Sequence, residues 1–310
     1  MTQTQMRWVM VVTAIGTLLV TGVVSFLVAY VAADAALKPD PPKNAPYLEQ
    51  FPFPVEEIAF TARDNTALAG WFLAAAPPRG EQPSAAPGPA VILMHGYGGT
   101  RAVMLPYASF LSSAGFHVFF FDARGVGYSA RVEVTFGERE KQDVLGALDY
   151  LGTRREVDQS RIAIMGIELG GSVALMSAAD DARIAAVIAE GPYASLELAL
   201  RDALDRIVAV PRLLRPLTTY LVKRRIVVEI EDRAPLEAVA KLAGRPVFII
   251  EDGGGRTEQA QAIFAAAQPP KTLWAAPGAA PGQALTEFPN EYVSRVVAFL
   301  RSNVGAPPKR

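Results

Sequence analysis

Arg161-Ile162-Ala163-Ile164-Met165-Gly166-Ile167-Glu168-Leu169-Gly170-Gly171-Ser172 is the stretch that decides the fold of this chain. Its first half is an apolar run of strand character that ends at Gly166, and Ser172 opens an apolar run typical of a buried helix. A strand that becomes a helix within about four residues requires glycines, because flanking side chains would clash in so sharp a turn. The stretch therefore predicts a strand, a sharp turn around Glu168 and a helix.

Similar apolar runs lie on both sides of this stretch and alternate with segments of helical spacing. A strand that is apolar at every position is typical of a parallel sheet covered on both faces. The alternation predicts one α/β domain over residues 55–303, with a doubly wound, mostly parallel sheet that starts in a β-hairpin. The predicted strands are 57–61, 68–73, 90–94, 116–121, 161–166, 184–189, 247–250 and 271–276, and the predicted helices include 101–114, 138–155, 256–267 and 290–303.

Residues 8–33 (WVMVVTAIGTLLVTGVVSFLVAYVAA) carry no charge. About 20 apolar helical residues cross a bilayer core, so this run predicts a transmembrane anchor after a short tail, residues 1–7. A cleavable signal peptide is the alternative, because Ala33-Asp34-Ala35 is a small-x-small pattern, although signal peptides usually have apolar regions of about 7–15 residues. Arg7 and the amino terminus favour an extracytoplasmic domain, membrane-bound or, after cleavage, secreted.

Further segments follow from composition. The proline-rich residues 34–54 predict a linker that holds the domain off the membrane, and residues 304–310 form a tail. A net charge of −1 gives no global field that would attract nucleic acid, and the absence of cysteine excludes disulfides and thiolate chemistry. Nothing in the motifs predicts a cofactor or a metal. The chain has two histidines, His95 and His117.

Three motifs follow successive predicted strands. They are His95-Gly96-Tyr97-Gly98-Gly99, Asp122-x-Arg124-Gly125-x-Gly127-x-Ser129, and the turn with Gly166, Glu168, Gly170 and Gly171. In this order they resemble the α/β-hydrolase superfamily, especially its membrane-anchored, serine-aminopeptidase-like members, over about residues 55–303. The resemblance implies the fold and does not by itself imply activity.

The resemblance also implies where a catalytic triad would lie. The oxyanion donors would be the backbone N–H groups of Tyr97 and Leu169, and the nucleophile position holds Glu168. The acid position falls on Gly255 and the histidine position on Pro281, and no histidine follows residue 117. The sequence therefore predicts a family member whose triad is lost.

Glu168 leaves other interpretations open. Relatives with a carboxylate nucleophile still need a histidine to activate water, and we expect His95 and His117 to serve packing and hydrogen bonding instead. A metal site of Glu168, Glu251 and Asp252 has no spacing signature, and a solvated strand end is the simpler interpretation of the last two. We expect Glu168 to fill its own oxyanion hole or to reach a cation such as Arg101.

Residues 196–243 occupy the place where the superfamily inserts a cap. No acidic residue occurs from Ile207 through Val228. In one interpretation, the cap is basic and amphipathic and binds anionic lipid or an acidic partner. In the other, its charges are merely solvated, because Pro211 and Pro216 break any long continuous helix. The basic residues are Arg206, Arg212, Arg215, Lys223, Arg224 and Arg225.

The sequence leads to three functional hypotheses. The first is a membrane-anchored pseudohydrolase that binds a small molecule, a lipid or a protein through its former pocket. The second is an active hydrolase of esters, amides or lipids with non-standard residues. The third is a structural domain without a functional pocket.

Overall fold

The structure is a computed structural model with one eight-stranded sheet at its centre. It describes residues 1–39, 54–77, 86–207, 210–226, 235–242, 244–253, 257–276, 278–279 and 282–305. The strand order is β1-β2-β4-β3-β5-β6-β7-β8, with β1 antiparallel to β2, β2 antiparallel to β4, and the remaining pairs parallel. The strands are β1 (Val55–Thr61), β2 (Ala67–Leu73), β3 (Gly88–Met94), β4 (His117–Phe121), β5 (Val157–Ile167), β6 (Ile184–Glu190), β7 (Val247–Glu251) and β8 (Lys271–Ala275).

Helices cover both faces of this sheet, so the predicted α/β-hydrolase fold with its hairpin and parallel core is confirmed. The region predicted as helix 101–114 opens with a 3₁₀ turn at Arg101–Met104 before the α-helix. The helices are α1 (Gln3–Leu37), α2 (Leu105–Ser113), α3 (Glu140–Leu151), α4 (Leu169–Asp180), α5 (Leu196–Arg206), α6 (Arg215–Ile226), α7 (Pro235–Ala240), α8 (Thr257–Ala266), α9 (Ala284–Glu287) and α10 (Pro289–Asn303).

The core lies in two layers, one on each face of the sheet. β3 and β5 are apolar and buried along most of their length because helices cover them on both sides. β5 pairs with β3 on one side and with β6 on the other. The carboxyl end of β5, where Glu168 follows, therefore lies at the middle of the sheet edge.

Helix α1 is longer than the predicted anchor 8–33 and includes part of the predicted linker 34–54. The helix continues to Leu37 because Ala35, Ala36 and Leu37 are strong helix formers, and Ala36 and Leu37 are fully buried against the domain. Residues 40–53 lie outside the described residues. Residues 34–37 therefore continue α1, and the expected linker that holds the domain off the membrane stays a prediction.

α1 is also the one helix among the described residues that is long and apolar enough to cross a membrane. An 18-residue window within it is fully unburied and has a mean hydropathy of 2.3. An amino-terminal helix of this kind meets the requirements of a membrane span and of a signal sequence alike.

The predicted cap, residues 196–243, contains α5, a 3₁₀ turn at Arg212–Leu214, α6 and α7. The cap helices are short, as the prolines predicted. Pro211 precedes the 3₁₀ turn, and Pro216 lies at the start of α6, where its missing N–H costs no helical hydrogen bond.

Candidate functional site

Glu168 occupies a strained turn between β5 and α4. Its backbone has φ 50° and ψ −119°, a conformation that side-chain-bearing residues rarely adopt. The Glu168 N–H donates to the carbonyl oxygen of Glu190 at the end of β6, at 2.8 Å. The predicted strand, sharp turn and helix are thus present, and the Glu168 turn is held to the neighbouring strand.

Two glycines make the Glu168 turn possible. A Cβ on Gly166 would lie 2.1 Å from the carbonyl oxygen of Gly170, and a Cβ on Gly170 would lie 2.4 Å from that of Met94. Both distances are far below van der Waals contact, and both involve backbone atoms that side-chain rotation cannot move. The requirement for glycine inferred from the sequence therefore holds at both positions. Gly171 has more room, with its nearest atom at 3.1 Å.

The carboxylate of Glu168 forms an ion pair with the cap. Oε1 accepts a hydrogen bond from Nη2 of Arg206 at 3.1 Å, and Nη2 also donates to Oδ2 of Asp202 at 2.9 Å. Oε2 lies over Gly96, where a Cβ would meet it at 2.8 Å. The hydroxyl of Tyr193 donates to the same Asp202 carboxylate. The Glu168 turn is therefore connected to α5 through charge.

Arg101, proposed from the sequence as a partner of Glu168, lies elsewhere. Its guanidinium is 3.7 Å from the carboxylate of Asp122 and 4.3 Å from the ring centroid of Trp71. The buried Arg101 side chain thus has an ion-pair partner in Asp122 and a cation–π partner in Trp71. The expectation of an Arg101–Glu168 pair is wrong, and Arg206 takes that place.

His95 and the glycines after it form a tight turn at the end of β3. Nε2 of His95 accepts from the Ala123 N–H at 3.0 Å, so Nδ1 carries the proton and donates to the carbonyl oxygen of Gly96 at 2.8 Å. Burial lowers the pKa of His95, which keeps the ring neutral. The Gly99 N–H closes the turn onto Gly96, and Gly98 needs its positive φ of 70°. Both ring nitrogens thus have structural partners.

Tyr97 lies in the loop after β3, and Leu169 directly follows Glu168 in the chain. The Tyr97 hydroxyl donates to the carbonyl oxygen of Ala36 in α1 at 2.8 Å, and its ring stacks on Phe136. Burial raises the pKa of Tyr97. Leu169 is the first residue of α4, and its side chain packs in the core. Their backbone role as oxyanion donors stays a prediction.

His117 lies at the other end of the sheet. It is the first residue of β4, whereas the Glu168 turn follows the carboxyl end of β5. Nδ1 of His117 accepts from the Ala75 N–H at 3.2 Å, and the ring stacks on Phe72. Burial lowers its pKa. This histidine cannot reach Glu168, because the length of β4 separates the two edges of the sheet.

The end of β7 differs from the expected solvated strand end. Asp252 is 1% exposed, and its Oδ2 accepts from the Gly282 N–H at 2.8 Å. The carboxylate fits because Gly191, with φ 50°, has no side chain; a Cβ there would lie 2.3 Å from Oδ2. The solvated interpretation is therefore wrong for Asp252. The predicted acid and histidine positions, Gly255 and Pro281, lie outside the described residues.

A buried carboxyl group that contacts two tyrosine hydroxyls was not expected from the sequence. Glu190 is fully buried, and its Oε2 accepts from the hydroxyls of Tyr292 at 2.5 Å and Tyr107 at 3.5 Å. Burial raises the pKa of Glu190 to about 7. An acidic residue at the end of an apolar strand was the available signal, but its tyrosine partners are distant in sequence. Among the described residues, no group of three or more acidic or histidine side chains has the geometry of a metal site.

A cavity of about 610 Å³ opens above the Glu168 turn. Its walls come from the loop after β3, from α2, and from α9 and the start of α10. Most of its lining side chains are apolar, and Glu168 is the one charged residue among the described residues that line it. The apolar side chains include Val103, Tyr107, Phe110, Ile167, Leu285 and Val293. A largely apolar cavity with few polar groups is typical of a small-molecule site.

Comparisons with known proteins agree with this architecture. The structure is similar to the esterase Pf2001 of Pyrococcus furiosus, with a TM-score of 0.68 and 23% identity over 86% of this chain and all of that one. It is also similar to the α/β hydrolase GrgF from Penicillium sp., with a TM-score of 0.63 and 21% identity over 82% of this chain and all of that one. At these identities the likeness shows the fold alone.

Sequence relatives cover a smaller part of the chain. The uncharacterized protein YfhR of Salmonella typhimurium is 33% identical over 181 residues, which are 55% of this chain and 59% of that protein. The polyketide transferase ATR5 of Stachybotrys chlorohalonatus is 29% identical over 173 residues, 51% of this chain and 55% of that one. The chain thus matches less than two thirds of the length of these relatives. The family model described as serine aminopeptidase, S33, matches residues 85–243, about half of the chain. The chain therefore belongs to the serine aminopeptidase S33 family of α/β hydrolases.

Proposed function

We propose that this chain is a membrane-anchored pseudohydrolase, which binds a small, largely apolar ligand in the cavity above Glu168 without cleaving it. The ion pair between Glu168 and Arg206 at the nucleophile position is the observation that carries this proposal. A serine hydrolase needs a nucleophile and a base that takes its proton. Here the nucleophile position holds the carboxylate of Glu168, which forms an ion pair with Arg206 of the cap.

The lack of an available histidine base also supports the proposal. Both histidines have structural partners: His95 is enclosed in its own turn, and His117 lies at the far edge of the sheet. Burial lowers the pKa of each. A carboxylate nucleophile at residue 168 would also need a base to activate water, so the same shortage affects that mechanism.

The cavity indicates the ligand class. Its volume of about 610 Å³ accommodates a drug-sized molecule, and its walls offer mostly apolar contact. Glu168 provides an acceptor at the base of the cavity, so we expect a ligand with an apolar body and one hydrogen-bond donor. An acyl-chain alcohol or amine has this chemistry.

An active hydrolase is the second candidate, because the Glu168 turn keeps a strained backbone. Strained residues cluster at functional sites, and φ 50° at a residue with a side chain persists only where the surroundings impose it. Some relatives and structural neighbours carry the names of enzymes, a polyketide transferase and an esterase.

Turnover assays on the full chain in detergent separate the two candidates. We expect neither the wild type nor Glu168→Ser to react with a fluorophosphonate probe or to hydrolyse a panel of short-chain p-nitrophenyl esters, because serine without a base is a poor nucleophile. An unchanged thermal transition would show that the variant is folded. Ester hydrolysis by the wild type, above that of buffer, would overturn the proposal in favour of an active hydrolase. Hydrolysis by Glu168→Ser alone would contradict the argument that the chain lacks a base.

Ligand capture tests the binding half of the proposal. Native mass spectrometry of the purified full chain should detect a retained apolar molecule in the wild type. Val103→Trp places a large ring in the cavity and should abolish retention, whereas Val132→Trp, at an exposed position outside the cavity lining, should not. Equal retention by both variants would place the ligand elsewhere, and an empty wild type would favour a purely structural domain.

A further inference from the structure

Helix α1 contacts the cap. The carboxyl-terminal part of α1 packs along α6. Arg225 in α6 forms an ion pair with Asp34 at 2.9 Å and places its guanidinium 5.6 Å from the ring centroid of Tyr30. The Val134 N–H donates to the carbonyl oxygen of Leu37 at 2.9 Å. The Arg225 contacts hold α6 beside residues 30–34 of α1, and the Val134 hydrogen bond holds the end of α1 against the domain.

The length of the apolar part of α1 sets the depth at which α6 would lie relative to the bilayer. The charge-free residues 8–33 form 26 helical residues, about 39 Å at about 1.5 Å per residue, whereas a hydrocarbon core is about 30 Å thick. With Arg7 at one boundary, the core ends near residue 27. Burial of α1 against the domain begins with Ala29. The segment that α6 packs against therefore emerges where the headgroups begin.

The cap exposes a surface that combines basic, apolar and aromatic side chains. We define the cap stripe as Arg212, Leu213, Pro216, Tyr220 and Arg224, all exposed. The last three share one face of α6 at four-residue spacing, opposite the buried Thr218, Val222 and Ile226. Leu213 is 89% exposed and Tyr220 is 58% exposed.

Charge distinguishes the cap stripe from the rest of the cap. Arg215, Lys223 and Arg225 pair with the acidic side chains of Asp205, Glu197 and Asp34. Within the described part of the chain, Arg212 and Arg224 form no ion pair. Two arginines without an ion pair among the described residues, beside an exposed leucine and an exposed tyrosine, favour a bilayer interface. Aromatic and apolar groups enter the headgroup layer, and arginines bind its phosphates.

We infer that the cap stripe rests on the anionic headgroups of the leaflet from which α1 emerges. This inference rests on the proposed anchor and goes beyond it, because an anchored domain need not touch the bilayer. The contact would hold the cap beside the membrane surface. Since Arg206 belongs to the same cap, the position of the bilayer would be transmitted to the Glu168 turn.

Site-specific fluorescence on the full chain tests the contact. The chain has no cysteine, so single cysteines can be introduced and labelled with NBD at three depths. Leu18→Cys reports the middle of α1, Tyr220→Cys reports the cap stripe, and Arg155→Cys reports the opposite edge of the sheet, just before β5. The proteins are reconstituted in vesicles of phosphatidylcholine with or without phosphatidylglycerol, and headgroup-spin-labelled or acyl-chain-spin-labelled lipids serve as quenchers.

We expect the Leu18 label to be quenched by acyl-chain quenchers and the Arg155 label to resemble label in water. The Tyr220 label should show a blue shift and a loss of emission with headgroup quenchers, both larger with phosphatidylglycerol and smaller at high salt. In the Arg212→Gln/Arg224→Gln background, the dependence on phosphatidylglycerol should be lost while the Leu18 label stays deep.

The outcomes distinguish the surface from the anchor. A deep Leu18 label together with a Tyr220 label that matches Arg155 would overturn the cap contact alone; an acidic protein partner would give this result in protein-free vesicles. A Tyr220 label that is quenched equally with and without phosphatidylglycerol would overturn the anionic recognition. A Leu18 label in water would overturn the anchor and the surface together.

Discussion

Two arginine–carboxylate pairs lie near the carboxyl edge of the sheet, and they differ in burial. Arg124 pairs with Asp143 at 2.6 Å, with 2% and 0% of the side chains exposed. Arg206 pairs with Glu168 at 3.1 Å, with 43% and 12% exposed. The first pair is built into the domain, whereas the second joins a cap helix to a turn that lines a cavity. The Arg124 pair therefore stabilises the fold, whereas the Arg206 pair can open at modest cost.

The buried pair should show the largest effect. Arg124→Met removes the guanidinium that binds Asp143 through Nε and Nη2 and that also pairs with Asp64. Because Asp143 would be left buried and uncompensated, we expect a loss of about 3–5 kcal/mol in the free energy of unfolding. Chemical denaturation of the full chain in detergent micelles measures this loss. A loss below about 1 kcal/mol would remove the contrast between the two pairs.

Glu190 is a buried carboxyl that accepts hydrogen bonds from tyrosine hydroxyls instead of pairing with an arginine. Burial raises its pKa in the folded chain to about 7, above the usual 4.5 of a glutamate. The folded state therefore binds the proton more tightly, and the stabilisation present below pH 4.5 is lost as the pH rises through about 7. Between pH 5 and pH 8 we expect the free energy of unfolding of the wild type to fall by up to about 3 kcal/mol, and that of Glu190→Gln to show no such fall. Thermal unfolding of both proteins across this range measures the difference, and parallel pH profiles would contradict the assignment.

The exposed pair should show the smallest effect. Arg206→Met repeats the substitution made at Arg124, but solvent screens this pair, so we expect a loss of no more than about 1 kcal/mol. Glu168→Gln should cost a similar amount, and the double variant little more than either single one, since both remove the same interaction. The same denaturation assay gives all three values. If Glu168→Gln costs nothing, the ion pair does not hold the strained turn.

The fold could be predicted from the sequence because local signals and tertiary packing agree there. The runs that end at Met94 and Phe121 are apolar at nearly every position, which is possible only for strands covered on both faces. Gly166 and Gly170 marked the sharp turn because their requirement for glycine is steric and local. Element ends shifted by a few residues, and α1 extended to Leu37, because side-chain packing decides where a helix stops.

The site was only partly predictable. The sequence placed Glu168 at the turn and assigned structural roles to His95 and His117, which their hydrogen bonds support. Arg206 was visible among the cap arginines, but its pairing with Glu168 depends on how α5 folds over the sheet. Glu190, Tyr107 and Tyr292 lie about 80 and 100 residues apart along the chain, so no local pattern relates them. The burial of Asp252 likewise depends on Gly191, which follows the end of β6.

The sequence by itself determined the parallel sheet, the sharp turn with its glutamate, the apolar amino-terminal helix and the scarcity of histidine. Each follows from composition or short-range geometry, since apolar periodicity, glycine spacing and residue counts are properties of the chain alone. The tertiary structure decided which cation meets Glu168, which carboxyls are buried and how α1 meets the cap. Those depend on distances between segments far apart in sequence, and only the packed chain defines such distances.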